Sequence, residues 1–243
     1  MASFQQQVVE NLALIFPHAI FYKPTPQQVV ALTIDDVPIP GESYPCSTRW
    51  ILDAIAEHNQ SVSNPAENAR ATFFIIGSHL NRDWQLLTDI VAQGHELANH
   101  GFVDTWAALQ APGQFAAQFH QTHQLITEQV PTPLCWYRPG RAFYNPAMLS
   151  VVRQTAGYEP YLALASMLPL DTLSRTADPA FTVRYVAQHI FPGAILLLHG
   201  GSVARSKNTA ATLRLLLPQL RSQGYRITTL SDLWRSSAPP LTR

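Results

Sequence analysis

Apolar positions along this chain fall into two rhythms. Residues 29–34, 71–76 and 194–198 form short, unbroken apolar runs, the pattern of strands buried on both faces. Residues 47–58 instead place Trp50, Ile51, Ala54 and Ile55 on one helical face, and helical stretches are also predicted at 84–92, 114–129, 146–155 and 210–223. Shorter strand segments are expected at 96–99, 134–137, 161–165 and 225–229, with a short helix at 231–234. The punctuation agrees: Gly77 closes the second strand, Gly94 stops the helix before it, Pro131 and Pro133 end the longest helix, and Pro146 suits a first helical turn. Strand and helix alternate from residue 28 onward, which predicts an α/β fold with a parallel sheet or barrel.

The 243 residues are enough for one large domain. The expected division is a helical extension at 1–27, a main α/β domain at 28–234 and a tail at 235–243, with no internal repeat. A chain that is 47% hydrophobic and 13% charged buries a core and is not disordered. Sixteen basic residues balance sixteen acidic ones, so no broad positive field exists to attract nucleic acid or an anionic membrane; a neutral ligand fits better. No run of about 20 apolar residues occurs, which excludes a spanning helix. The first 17 residues contain Glu10 and no Lys or Arg, so no secretory signal is evident and a cytoplasmic location is favoured, unless a leader is missing. Cys46 and Cys135 form neither a disulfide framework nor a metal motif and are expected as core thiols.

The chemistry clusters at strand ends, where parallel barrels collect their catalytic groups. Asp35 and Asp36 close the first strand. Adjacent residues on an extended chain point oppositely, so a bend at Val37-Pro38 is needed to bring both carboxylates to one mouth, one to bind a cation and the other to act as a base. The plain alternative is a turn that uses aspartate for local hydrogen bonds. His100 and Asp104 are four residues apart and would meet if the segment coils into a helical turn, giving two donors to one metal; a surface histidine is the alternative. His95, on the preceding strand, reads equally well as structural. Arg138, fixed by Pro139, presents a fork that matches a carboxylate such as Asp35, unless it is a surface ion-pair residue. His199 directly follows the last apolar run, so its ring projects at the barrel mouth. Trp106, Phe143 and Tyr144 lie beside these groups and suit either stacking on a ligand ring or core packing.

Taken in order, these segments resemble the polysaccharide deacetylase family, also called the NodB-homology or carbohydrate esterase 4 group. LTIDDVP is similar to its first motif, GHELANHGFVD to its second, YRPGRAFYN to its third and AILLLHGG to its last. The resemblance implies an irregular (β/α) barrel that removes acetyl groups from N-acetylated, or O-acetylated, carbohydrate. It implies one divalent metal, zinc first, with cobalt, nickel or manganese as other candidates, at Asp36, His100 and Asp104. It also implies Asp35 as base, Arg138 as the residue holding that base, His199 as acid, and Arg141, Leu197 and Asp171 around substrate and oxyanion, Asp171 being the candidate support for His199. The sequence departs from the family pattern at Asp104, where a second histidine is usual, at Gly140 and Arg141, at Gly200, and in the tryptophan absent after Asp171. Two other readings stay open: a metal-independent hydrolase of cyclic amides, like allantoinase-type relatives, and a non-catalytic carbohydrate-binding module on the same fold.

Overall fold

The computed structural model describes residues 3–80, 85–167, 171 and 178–236. The expected tail therefore lies outside the described residues from 237 onward. Helix α1 (Phe4–Ile15), capped by the Ser3 hydroxyl, precedes the short strand β1 (Ala19–Ile20). The chain then alternates through β2 (Val29–Val37), α2 (Arg49–Gln60), β3 (Ala71–Ile75), α3 (Gln85–Ala92), β4 (Glu96–Asn99), α4 (Pro112–Gln129) and α5 (Pro146–Gln154). It continues with β5 (Leu162–Ala163), α6 (Pro179–His189), β6 (Ile195–His199), α7 (Val203–Ser222), β7 (Arg226–Thr228) and α8 (Leu230–Arg235).

Two helical features differ from expectation. Helix α6 was not foreseen: its buried face is Thr182, Val183 and Val186, too narrow an apolar stripe to stand out, although Asp178 caps it and Pro179 opens it. Helix α7 begins at Val203, not 210, because Ser202 caps a polar first stretch containing Arg205, Lys207 and Asn208. Among the described residues no helix is long and apolar enough to cross a membrane.

Strand β2 is the hub, pairing in parallel with β3, β6 and β7, while β3 pairs with β4. The sheet then curls round through irregular segments. Asn99 N–H donates to Trp136 O at 3.0 Å, Ala163 N–H to Tyr137 O at 2.9 Å, and Leu197 N–H to Met167 O at 3.0 Å, so residues 134–137 and 162–167 link β4 back to β6. The result is an irregular parallel α/β barrel.

Alternation along its strands sorts the core into two layers. Val30, Leu32, Ile34, Phe73, Ile75, Leu196 and Leu198 belong to the cluster that meets the surrounding helices. Val29, Ala31, Phe74, Ala98, Trp136, Ala163 and Ile195 form the second cluster, filling the barrel. The same parity that sends Ala31 inward also sends Thr33 and Asp35 inward; it pairs Trp136 with Arg138, and Ile195 with Leu197 and His199. The barrel is thus apolar below and polar at the carboxyl ends of its strands.

Candidate active site

Arg138 anchors the polar end. Its side chain is 3% exposed, and every bond it makes is to an acceptor fixed by the sheet: Asp35 Oδ1 at 2.6 Å, Thr33 Oγ1 at 2.9 Å, Ala163 O at 2.9 Å and Leu164 O at 3.1 Å. Its guanidinium carbon also lies 4.0 Å from the centroid of the Phe74 ring. Burial pushes the guanidinium below its ordinary value, opposed by Asp35, and a buried ion pair of this kind persists only with its remaining hydrogen bonds satisfied. Thr33 was not singled out in the sequence, where a threonine in an apolar strand reads as an ordinary strand former.

Strand parity would turn Asp36 away from the mouth. Instead the pairing of β2 with β3 slips between Ile34 and Val37, and Asp36 takes a left-handed backbone, φ 65°. The chain bends at Val37-Pro38 as expected, through a cis peptide bond, and Asp36 adds a turn of its own just before it. A non-glycine residue held in this region is strained, of the order of 1–2 kcal/mol. The strain brings both carboxylates to His100: its Nε2 lies 3.5 Å from Asp35 Oδ2 and 3.4 Å from Asp36 Oδ1.

The other ring nitrogen of His100, Nδ1, is 2.8 Å from the backbone oxygen of Arg138. A carbonyl only accepts, so Nδ1 carries the hydrogen and Nε2 faces the carboxylates. Burial works to raise the Asp36 carboxyl, yet its interaction with His100, with His199 and Arg205 beyond it, holds it at about 2. Burial also opposes a charged His100, but Asp35, Asp36 and the Arg138 carbonyl overcome it and raise the imidazole to about 9.

Across the mouth, Asp171 clamps His199 twice, with Oδ1 2.8 Å from Nδ1 and Oδ2 accepting the backbone N–H at 2.8 Å. Burial disfavours the charged ring, yet the bond and charge of Asp171, then Asp35 and Asp36, raise its pKa. Asp171 lines the cleft as expected, and its carboxylate is engaged by His199. Thr209 on α7 donates to His199 O at 2.7 Å. Arg205, also from α7 and missed because that helix starts earlier than expected, stands 3.5 Å from Asp36 Oδ2.

Asp35, Asp36, His100, Arg138, Asp171, His199 and Arg205 line one cleft of about 510 Å³, with Leu197, Asp104 and Arg141 on its walls. Asp104 does not join Asp36 and His100 by the expected route. Gly101 has φ 86° and residues 102–105 run as bends, so no helical turn stacks position 104 over position 100. The Asp104 carboxylate, 41% exposed, instead accepts from Arg141 Nη2 at 3.0 Å. Among the described residues no group of three or more His, Cys, Asp or Glu side chains is gathered as a metal shell. Asp36 and His100 come together and Asp104 stands apart on the same cleft.

His95 belongs elsewhere: it is buried, its Nδ1 accepts from Ala71 N–H at 3.3 Å, and it does not line the cleft. Cys46 and Cys135 are both free and buried.

A parallel barrel whose strand ends gather a buried aspartate-arginine pair, a histidine between two carboxylates and a second histidine-aspartate pair defines a hydrolase-type site on an α/β barrel. The family described as Polysaccharide deacetylase matches residues 22–160. The chain is 30% identical over 212 residues to a peptidoglycan-N-acetylglucosamine deacetylase of Bacillus cereus, covering 87% of this chain and 91% of that one. It is 30% identical over 219 residues to a chitooligosaccharide deacetylase of Rhizobium leguminosarum, covering 86% and 88%. Among solved structures, a CE4 family pseudoenzyme from Bacillus anthracis superposes with a TM-score of 0.75 at 20% identity, over 92% of this chain and 71% of that one. A family 4 acetyl xylan esterase from Clostridium thermocellum in complex with a cobalt ion gives 0.70 at 24% identity, over 85% and 90%. The chain belongs to the polysaccharide deacetylase family, a group of hydrolases acting on carbon-nitrogen bonds other than peptide bonds.

Proposed function

We propose that this protein hydrolyses the acetamido group of an N-acetylated sugar unit, with a divalent metal at Asp36 and His100. The observation that carries the reading is the placement of Asp35, held by Arg138, beside the Asp36-His100 pair and in the same cleft as His199. The names of the relatives above support an acetylated amino sugar as substrate.

The residues fit a cation. His100 has its Nδ1 hydrogen fixed by a backbone carbonyl, the arrangement that leaves Nε2 as donor. Its 3.4 Å separation from Asp36 is longer than the roughly 2.7–2.9 Å of a charge-assisted hydrogen bond. It is close to the spacing of two donors each about 2.1 Å from a shared tetrahedral ion. Asp104, held through Oδ2 by Arg141 and not gathered with this pair, would become a third donor only by moving toward it. Zinc, cobalt, nickel and manganese all accept such nitrogen and oxygen donors. When bound, such an ion supplies positive charge against the acetyl carbonyl oxygen and makes water more acidic.

The side chains do the rest. Asp35, fixed by Arg138, accepts a proton from the attacking water. The Arg141 turn lines the cleft and would offer a backbone N–H to the carbonyl oxygen, and Leu197 offers an apolar wall to the acetyl methyl. His199, oriented by Asp171 through Nδ1, donates a proton from Nε2 to the departing nitrogen. Acetate and a free amino sugar result.

Proton NMR of acetate released from N-acetylglucosamine oligomers and from acetylated xylan tests this reading and separates amide from ester cleavage. Release from the oligomers is expected; none from either substrate, with any of the four metals added, would sink it. The second reading, a carbohydrate-binding module, draws on the engagement of Asp104 by Arg141, and it predicts oligomer binding with no acetate.

A further inference from the structure

Trp106 and Phe143 are large apolar side chains left in water beside the cleft, 48% and 58% exposed. Their rings lie 5.1 Å apart, tilted by 39°. Neither is there by accident of a loose loop. Trp106 sits two residues beyond Asp104 and Phe143 two beyond Arg141, and Asp104 and Arg141 both line the cleft. The two loops that carry them are tied at three points. Arg141 bonds Asp104 at 3.0 Å, and Asn145 Nδ2 donates to Ala108 O at 2.9 Å. Gly140 lies so close to the other loop that a Cβ there would stand 2.8 Å from Thr105 O. Arg141 and Ala142 both hold left-handed backbone, φ 62° each, in the turn that presents Phe143. The protein thus sustains two consecutive strained residues and a glycine-only contact where they fix an exposed aromatic pair.

We infer that Trp106 and Phe143 form a stacking platform for a second sugar ring, one unit along the chain from the acetylated unit in the cleft. This inference rests on the deacetylase reading. A pyranose has apolar faces of C–H groups and a hydroxyl edge. It matches an aromatic surface bordered by the Arg141-Asp104 pair, which offers both donors and acceptors to hydroxyls. Asp104, Arg141 and Ala142 line the cleft and neither ring does, so the pair stands just outside it on the two loops that form that wall, where the next unit of an oligosaccharide would leave the cleft. Because the rings are already held, little ordering is lost on binding.

Calorimetric titration of the full chain with the monomer and with the tetramer of N-acetylglucosamine tests this, using the wild type, Trp106→Ala, Phe143→Ala and the conservative Trp106→Phe, each checked for folding by circular dichroism. The tetramer-to-monomer affinity ratio should fall about ten-fold in Trp106→Ala and less in Phe143→Ala, and largely recover in Trp106→Phe. An unchanged ratio in a folded Trp106→Ala protein overturns the inference. So does a wild type that sediments as a dimer and becomes monomeric on the same substitution, since a second copy then covers the rings. Acetate release followed in parallel separates the two claims: turnover with an unchanged ratio sinks the platform alone, while a lowered ratio without any acetate sinks the deacetylase reading alone.

Discussion

His100 Nδ1 rests 2.8 Å from the backbone oxygen of Arg138, the residue whose guanidinium grips Asp35. One residue therefore sets both the orientation of the imidazole and the position of the carboxylate beside it. Replacing Arg138 by Met leaves Asp35 buried without its partner and the carbonyls of Ala163 and Leu164 without theirs. A destabilisation of about 3–5 kcal/mol is expected in urea unfolding, because a buried charge loses its counter-charge. A change below about 1 kcal/mol, the range of an exposed ion pair, would show that the interaction is far weaker than its burial implies.

Asp35→Asn keeps the shape of the side chain and removes the base. Acetate release should fall by about 10²–10⁴-fold while folding and metal binding persist. Near-normal turnover by a folded, metal-loaded variant would remove Asp35 from that role.

Asp171 raises the pKa of His199, which in the proposed reaction works in its protonated form. Activity should therefore decline on the alkaline side as His199 loses its proton. In Asp171→Asn the ring loses the charge that held that proton, so the alkaline limb of the pH-rate profile should move to lower pH. A limb that stays in place, or moves up, would show that His199 does not control it.

His95 supplies a pH dependence of stability separate from the site. Burial, aided by Arg70, lowers its pKa to about 4 from 6.5, and its Nδ1 accepts the Ala71 N–H. The unfolded chain takes up the proton more readily, so stability present above about pH 6.5 is lost as pH falls toward 4. The loss approaches about 3 kcal/mol. Glu96 beside it has a raised pKa and opposes this trend. The comparison is therefore with His95→Asn, whose side-chain oxygen retains the bond to Ala71. The difference in urea midpoints should shrink between pH 7 and 4.5, and a constant difference would contradict the assignment.

Arg141 competes for Asp104. Their bond is exposed and worth no more than about 1 kcal/mol, so Arg141→Gln should tighten zinc binding by up to about five-fold in calorimetry. Unchanged or weaker binding in that variant would place Asp104 outside the metal site.

The barrel was legible because buried strands announce themselves as apolar runs, and strand parity alone carries Asp35 and His199 to the mouth with Thr33 and Leu197. Asp36 was legible as chemistry but not as geometry, since alternation points it the wrong way and only a slipped register with a left-handed residue reverses it. Asp104 was misplaced because four-residue spacing implies contact only in a helix, and Gly101 breaks the coil. Arg205 escaped notice because the first turns of α7 are polar, although Ser202 after two glycines was a usable cap signal. The tie between Arg141 and Asp104 joins residues 37 positions apart, which no local pattern reports.

Acetate release from N-acetylglucosamine oligomers, measured before chelation, after it and after metal is restored, tests the central claim most directly. The account predicts release that stops with the chelator and returns with zinc or cobalt in the wild type, and does not return in His100→Ala. Release that continues undiminished through complete removal of metal would contradict it.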